Sequence, residues 1–211
     1  MSETPNGLLP IRFEKWFVER MKWFSLLLFH KGITANFVTL ISLLFGLIAG
    51  ILLAFSYMRL AVLFGMIMGF LDILDGQLAS LNNQTSPWGG ILDSTIDRVN
   101  ESIVYFGLGI HYYFTGQPVW ALIAAIILVA SILVSYVKAA AESRNLLCNV
   151  GIMQRSERLV LLALGVLLGG IILRIVLVLL AVLTLATVIQ RLLFVRKVAH
   201  EKSFKNEEVK S

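Results

Sequence analysis

All four aspartates of this 211-residue chain lie within one stretch of otherwise apolar sequence. Asp72 and Asp75 are three residues apart, and Asp93 and Asp97 are four residues apart. Side chains at these spacings share one face of a helix, one turn apart. Pro87 lies between the two pairs and predicts a turn. We therefore expect an antiparallel helix hairpin in which the two pairs of carboxylates face each other.

The composition places this hairpin in a membrane. Hydrophobic residues make up 58% of the chain and charged residues 15%, which excludes an ordinary soluble domain. The net charge of +5 comes from basic residues that flank apolar segments, and they form no patch interleaved with aromatics, so we expect no nucleic-acid partner. The single Cys148 excludes an internal disulfide and is interpreted as a packing residue.

Six apolar segments are each interpreted as a membrane span. They cover residues 35–57, 60–82, 88–112, 118–143, 153–170 and 172–195. The last two come from one long apolar run, which as a single helix would measure roughly 46 Å. Because that length exceeds a hydrocarbon core of roughly 30 Å, Gly169-Gly170 predicts a break. The sequence thus predicts an all-α polytopic membrane protein with six transmembrane helices.

The segments outside the spans complete the predicted organisation. Residues 1–34 form an amino-terminal segment, in which 10–30 combine aromatic and basic residues as in an amphipathic interfacial helix. Residues 35–197 form the six-helix transmembrane domain and residues 198–211 a polar cytosolic tail, which is expected to be disordered from Glu201 to Ser211.

The distribution of basic residues predicts how the chain is oriented. Arg59 and Arg174 fall at one side of the predicted bundle and Arg98 within a span, whereas the remaining basic residues fall on the side of the two termini. An excess of Lys and Arg marks the cytosolic side. We therefore expect both termini and the aspartates at the cytosolic face of the cell's inner (plasma) membrane.

The aspartates themselves predict a metal site. Four carboxylates gathered at membrane depth repel one another and are costly to desolvate, unless protons or cations neutralise them. Oxygen ligands without His or Cys favour Mg²⁺, Mn²⁺ or Ca²⁺ over zinc. Two divalent ions held in this way form a site that can bind phosphates and activate an oxygen nucleophile.

The same stretch resembles the signature of the CDP-alcohol phosphotransferase family, which reads Asp-x-x-Asp-Gly-x-x-Ala-Arg, eight residues, then Gly-x-x-x-Asp-x-x-x-Asp. Seven positions of this chain match in one frame: Asp72, Asp75, Gly76, Ala79, Gly89, Asp93 and Asp97. Ser80 stands where the family has arginine. The resemblance is specific because all the spacings are kept.

The resemblance implies a reaction and a division of roles. A substituted phosphate passes from a CDP-alcohol, usually CDP-diacylglycerol, to an acceptor hydroxyl, and CMP is released. Two Mg²⁺ or Mn²⁺ ions are implied, with Asp72, Asp75, Asp93 and Asp97 as the metal ligands. Asp97 is also implied to be the general base. The family likeness further suggests a homodimer.

A second set of positions is predicted to contact the nucleotide. The family often has Pro-Asn-x-x-Thr before the first span, and this chain keeps Asn36 and Thr39 but has Ala35 in place of the proline. Thr34 could cap the first span, and a purely structural role for these residues is an alternative. The nucleotide-binding set is Asn36, Thr39, Asp72, Asp75, Gly76, Ala79, Ser80 and Gly89.

Basic residues near the cytosolic face are candidates for the acceptor. Lys138, Arg155 and Arg191 could bind a phosphate-bearing alcohol, since arginine grips phosphate with two parallel hydrogen bonds. Orientation of the protein and contact with lipid headgroups are the alternative roles. Two ion pairs are also expected from spacing. Arg158 would pair with Glu157 or Glu142, and Arg98 with Glu101.

The identity of the acceptor stays open at this point. The string Leu92–Arg98 resembles the branch of the family that uses inositol phosphate, and phosphatidylglycerophosphate synthase is the second candidate. Ser80 and Ala140 replace arginines of that branch, so another acceptor or an inactive relative is a further alternative. In a different class, a divalent cation carrier could also use intramembrane aspartates.

Overall fold

The computed structural model describes residues 23–81 and 86–208, with side chains as far as residue 202. All regular elements within those ranges are helices. They are α1 (23–30), α2 (Ala35–Ala54), α3 (Met58–Leu81), α4 (Pro87–Phe114), α5 (Pro118–Glu142), α6 (Arg155–Leu168) and α7 (Gly170–Glu208). The all-α prediction is confirmed.

Local sequence explains where these helices begin and end. Thr34 caps α2 as predicted, since its hydroxyl accepts a hydrogen bond from the backbone N–H of Phe37 at 3.4 Å. The predicted break before α7 is confirmed, because Gly169 and Gly170 have φ of 65° and 53°. Side chains rarely tolerate this left-handed backbone, so two consecutive glycines suit it.

The structure tests the predictions for the two ends of the chain only in part. Helix α7 continues to Glu208, so the disorder predicted from Glu201 is wrong over its described part. The physical reason is that the Lys and Glu residues of this segment are good helix formers. Most of the interfacial helix predicted at 10–30 lies outside the described residues, although 23–30 is helical.

The surface of the helices is that of an integral membrane protein. Three helices within the described ranges are long and apolar enough to cross a membrane, Ala35–Ala54, Pro118–Glu142 and Gly170–Lys202. Large apolar side chains are exposed along the bundle, among them Phe106, Leu122 and Ile175. In water such a surface would be unfavourable, whereas lipid chains can cover it.

A glycine contact fixes the helix that carries half of the aspartates. Helix α2 packs against α3 and α4, α5 packs against α4 and α7, and α6 packs against α7 and α3. At the crossing of α2 and α4, a Cβ added to Gly107 would overlap the carbonyl oxygen of Gly50. Small residues at such crossings allow helix backbones to approach closely. The register of α4 against α2 is set there.

The hydrophobic core lies mostly toward the end of the bundle away from the aspartates. Tyr105, Leu108, Ile127, Leu177 and Leu180 of α4, α5 and α7 are buried in one cluster, to which α2, α3 and α6 also contribute. A smaller cluster beside the loop after α5 contains Cys148, which is fully buried. This burial confirms that the cysteine is a packing residue.

Candidate active site

Helices α3 and α4 bring three of the four aspartates together. Asp72, Asp75 and Asp93 each offer a carboxylate oxygen, and these three oxygens lie within 4.8 Å of one another. The predicted facing of the two pairs is therefore confirmed for these three residues. Clustered carboxylates without nitrogen or sulfur ligands suit a hard divalent cation such as Mg²⁺ or Mn²⁺. The donor set fits the metal that the resemblance implies.

Helix α2 supports this cluster from behind. The hydroxyl of Thr39 donates a hydrogen bond of 2.6 Å to Oδ2 of Asp75, whose side chain is buried. The polar contacts continue, because Ser42 donates to the carbonyl of Thr39 at 2.7 Å and the amide of Asn100 donates to Ser42 at 3.3 Å. A hydrogen bond to a ligating carboxylate fixes its orientation. Thr39 thus contacts the candidate metal site directly.

Arg155, the first residue of α6, contacts the aspartates of α3 and α4. Nη1 of Arg155 lies 3.1 Å from Oδ2 of Asp72 and 2.6 Å from Oδ2 of Asp97. All three side chains are between 21% and 29% exposed, so the contact is shielded but open to small molecules. The guanidinium joins a member of the three-carboxylate cluster to the remaining aspartate. Asp97 therefore belongs to the same site.

The other two acceptor candidates are engaged elsewhere in this conformation. Lys138 lies 3.7 Å from Glu142 on its own helix and is half exposed. Arg191 is buried and donates from Nε and Nη1 to the carbonyls of Val150 and Val134, at 2.8 and 2.6 Å. Among the described side chains, neither forms an ion pair with an aspartate. Their roles toward an acceptor stay predictions.

The nucleotide candidates are arranged around the same helix ends. Gly89 lies in the first turn of α4, and its N–H donates to the capping hydroxyl of Ser86 at 2.9 Å. A Cβ added to Gly89 would be 3.3 Å from Oδ1 of Asn36, so the absent side chain lets these residues approach. Gly76 faces open space, and Ser80 is exposed near the end of α3. Ala79 is half-buried. Their nucleotide role stays a prediction.

Both ion pairs predicted from spacing are wrong. Glu101 pairs with Arg158, with Oε1 2.7 Å from Nε and Oε2 2.9 Å from Nη2. Arg98 instead donates to the carbonyl of Ser94 on its own helix, and Glu157 accepts from the backbone of Gln154. The physical reason is burial, since a buried carboxylate needs its cation at close range and a helix neighbour at the surface cannot reach it.

A signal for this buried pair was present in the sequence. Glu101 lies four residues after Asp97, on the same face of α4, and Arg158 lies three residues after Arg155 on α6. Helices that meet through one charged contact bring the next turn into contact as well. The spacing alone, however, did not reveal that α4 and α6 are neighbours.

Comparison with known proteins agrees with this geometry. The sequence pattern of the family described as CDP-alcohol phosphatidyltransferase matches residues 32–199. An archaetidylinositol phosphate synthase of Methanothermobacter thermautotrophicus is 37% identical over 131 residues, which are 60% of this chain and 65% of that protein. One of Pyrococcus horikoshii is 34% identical over 79% of this chain and 85% of its own length. A phosphatidylinositol phosphate synthase of Streptomyces avermitilis is 34% identical over 84% and 78%.

Solved structures give the same result for the fold. The phosphatidylinositol phosphate synthase of Mycobacterium tuberculosis with CDP-DAG bound superposes with a TM-score of 0.77 at 26% identity, covering 83% of this chain and 92% of that one. Its complex with manganese and citrate also has a TM-score of 0.77 and 26% identity, with coverage of 83% and 88%.

The chain belongs to the CDP-alcohol phosphatidyltransferase family. It is accordingly a transferase of substituted phosphate groups. The match covers residues 32–199, well beyond the seven matching positions between Asp72 and Asp97.

Proposed function

We propose that the protein transfers a phosphatidyl-type group from CDP-diacylglycerol, or a related CDP-alcohol, to inositol phosphate and releases CMP. The observation that carries the proposal is the cluster of Asp72, Asp75 and Asp93 with Arg155 beside it. The names of the similar archaeal and bacterial proteins share inositol phosphate and differ in the lipid part. The part that these names share supports inositol phosphate as the acceptor.

The aspartates have distinct parts in the proposed reaction. Asp72, Asp75 and Asp93, together with Asp97, would hold two Mg²⁺ or Mn²⁺ ions, which when bound neutralise the charge of the diphosphate. Asp97 takes the proton of the acceptor hydroxyl. The acceptor oxygen forms a bond to the lipid-bearing phosphorus, and the bond from that phosphorus to the CMP oxygen breaks.

Arg155 is proposed to hold the acceptor's phosphate. Its Nε is buried and has no hydrogen-bond partner, while Nη1 contacts Asp72 and Asp97. The Nε N–H thus has no acceptor within the described residues, and a phosphate oxygen of the substrate is a suitable partner for the guanidinium. Lys138 and Arg191 are proposed to add positive charge around the acceptor, since Arg191 of α7 donates to the carbonyl of Val134, one helical turn before Lys138 on α5.

The membrane arrangement is part of the proposal. We infer six spans, α2 to α7. Helices α3 and α4 carry ionisable residues inside the span, and α6 has only 14 residues, so these three fall outside the helices that are long and apolar enough by themselves. The positive-inside rule supports cytosolic termini and a cytosolic active site in the plasma membrane, where a water-soluble acceptor can reach it. A homodimer is proposed from the family likeness.

A transfer assay tests the proposed function. Purified protein is incubated with radiolabelled CDP-diacylglycerol and Mn²⁺ in the presence of inositol phosphate, glycerol phosphate, serine or inositol. We expect CMP release and a labelled lipid product with inositol phosphate. If the lipid product forms only with glycerol phosphate, then glycerol phosphate is the acceptor and the proposal of inositol phosphate is wrong. No CMP release with any acceptor, together with Mn²⁺ flux into liposomes, would contradict the transferase and support a cation carrier.

A further inference from the structure

A buried ion pair lies one helical turn deeper than the contact of Arg155 with Asp97. The carboxylate of Glu101 on α4 and the guanidinium of Arg158 on α6 form two parallel hydrogen bonds of 2.7 and 2.9 Å. Their side chains are 4% and 1% exposed. Glu101 and Arg158 follow Asp97 and Arg155 by four and three residues. The two contacts are thus successive rungs between the same two helices.

The ion pair of Glu101 and Arg158 also holds the segment that leads into α6. Nη1 of Arg158 donates to the carbonyl of Met153 at 3.1 Å, and the N–H of Met153 donates to the hydroxyl of Thr187 at 3.2 Å. Arg155, the first residue of α6, comes two residues after Met153. The backbone that carries Arg155 is therefore fixed from α4 on one side and from α7 on the other.

Stability alone gives a poor reason for such a pair. Taking both charges out of water is costly, and a well-packed apolar pair of similar volume is often as stable or more stable. Orientation gives a better reason, because two parallel hydrogen bonds define both distance and direction. A guanidinium that must grip a phosphate beside the aspartates requires that definition, since a displacement of about 1 Å can reduce turnover by a factor of roughly a hundred.

We propose that Glu101 and Arg158 are positioning residues that determine how well the enzyme binds a phosphate-bearing acceptor, because they set the place of Arg155 beside Asp72 and Asp97. This inference rests on the proposed function. It adds two residues that touch neither the aspartate cluster nor, in the proposed reaction, the substrates. It also gives the buried charges a part in specificity.

The main test replaces the pair by apolar residues of similar volume, Glu101→Leu with Arg158→Met. We expect a folded protein with an unchanged KM for CDP-diacylglycerol and unchanged Mn²⁺ affinity. The KM for inositol phosphate should rise roughly ten-fold or more, and the preference for inositol phosphate over unphosphorylated inositol should fall. Equal changes in both substrates' KM, or no change in either, would overturn the positioning role.

Two further variants keep the test decisive if the double variant fails to fold. Glu101→Gln keeps the shape and one hydrogen bond, so we expect a smaller rise in the same KM. Arg158→Lys keeps the charge but loses the two-pronged geometry, and it too should raise only the acceptor's KM. If these variants lose thermal stability while the acceptor's KM stays at the wild-type value, the pair is merely structural.

The matched control is Arg174→Gln, which removes an arginine at the other end of the bundle. Arg174 donates to the amide of Gln117 and should leave both KM values unchanged. The wild-type protein separates the two hypotheses. If it releases no CMP with any acceptor, the proposed function fails. If it turns over and the variants show no selective effect on the acceptor, only the positioning inference fails.

Discussion

The two ends of the helix bundle satisfy their charged groups in different ways. At the end that holds the aspartates, ion pairs join helices distant in sequence, Arg155 with Asp97 and Arg158 with Glu101. At the other end, the guanidinium of Arg174 donates to the neutral amide of Gln117 at 2.8 Å and lies 5.6 Å from the ring of Trp120.

This difference shows where the fold accepts an electrostatic penalty. Buried ion pairs are costly to form, whereas an amide and an aromatic face satisfy a guanidinium without a second charge. The end of the bundle that contains Arg174 needs only to hold helices together. The charged end gathers carboxylates and guanidinium groups around a space where a phosphate substrate is proposed to react. Variants at the end that holds the aspartates should therefore lose activity or binding, and variants at the other end should lose stability.

The largest effect is expected at the charged end, from Asp97→Asn. If Asp97 takes the acceptor's proton, turnover should fall on the order of a thousand-fold, while binding of CDP-diacylglycerol persists. Radiolabelled CMP release measures turnover, and calorimetry measures binding. Glu201→Gln, an exposed carboxylate on α7, is the control. Near-normal turnover in Asp97→Asn would remove this residue from the role of base.

The next effect tests the support of the cluster by α2. Thr39→Val keeps the shape of the side chain but removes the hydroxyl that donates to Asp75. Because a lost partner of a metal ligand typically weakens binding by a factor of ten or more, we expect Mn²⁺ affinity to fall roughly ten-fold. Thr95→Val is the control, since that exposed hydroxyl donates to the carbonyl of Ile91 on its own helix. Equal Mn²⁺ titrations for wild type and Thr39→Val would disprove the support.

Toward the end of the bundle that contains Arg174, Gly107→Ala should lower stability and leave the reaction unchanged. The added methyl group would overlap the carbonyl oxygen of Gly50, and forced overpacking costs about 1–3 kcal/mol in the free energy of unfolding. A thermal melt in detergent measures the loss. Gly109→Ala is the matched control, because its nearest contact would be at 3.9 Å. Lost Mn²⁺ binding in folded Gly107→Ala would break the separation between the two ends.

Much of the fold follows from patterns that sequence displays directly. Apolar length predicts the helices, and Thr34 and Gly169 mark boundaries through capping and backbone conformation. The facing of Asp72, Asp75 and Asp93 also follows, since α3 ends at Leu81 and α4 begins at Pro87, which leaves two helices so close in sequence few ways to pair. Each of these features depends on residues that are close in sequence, so it can be predicted from one stretch of the chain.

The features that could not be predicted depend on which helices become neighbours. The pair of Glu101 with Arg158 and the tie of Arg191 to the carbonyl of Val134 each join residues 57 positions apart. Helix-surface spacing describes one helix at a time and favours partners three or four residues away. Burial overrides that preference, because a charge out of water binds the best partner that packing brings within reach.

The smallest effect is expected where the chain departs from its family, at Ser80. This residue is exposed near the end of α3, and the family has an arginine there. Ser80→Arg would add a guanidinium close to the predicted nucleotide phosphates, and a partly exposed charged contact contributes about 1 kcal/mol. We therefore expect CDP-diacylglycerol to bind roughly five-fold more tightly, with the gain lost at high salt. Ser80→Gln controls for side-chain length. Equal affinities for all three proteins would mean that this end of α3 lies beyond the reach of the diphosphate.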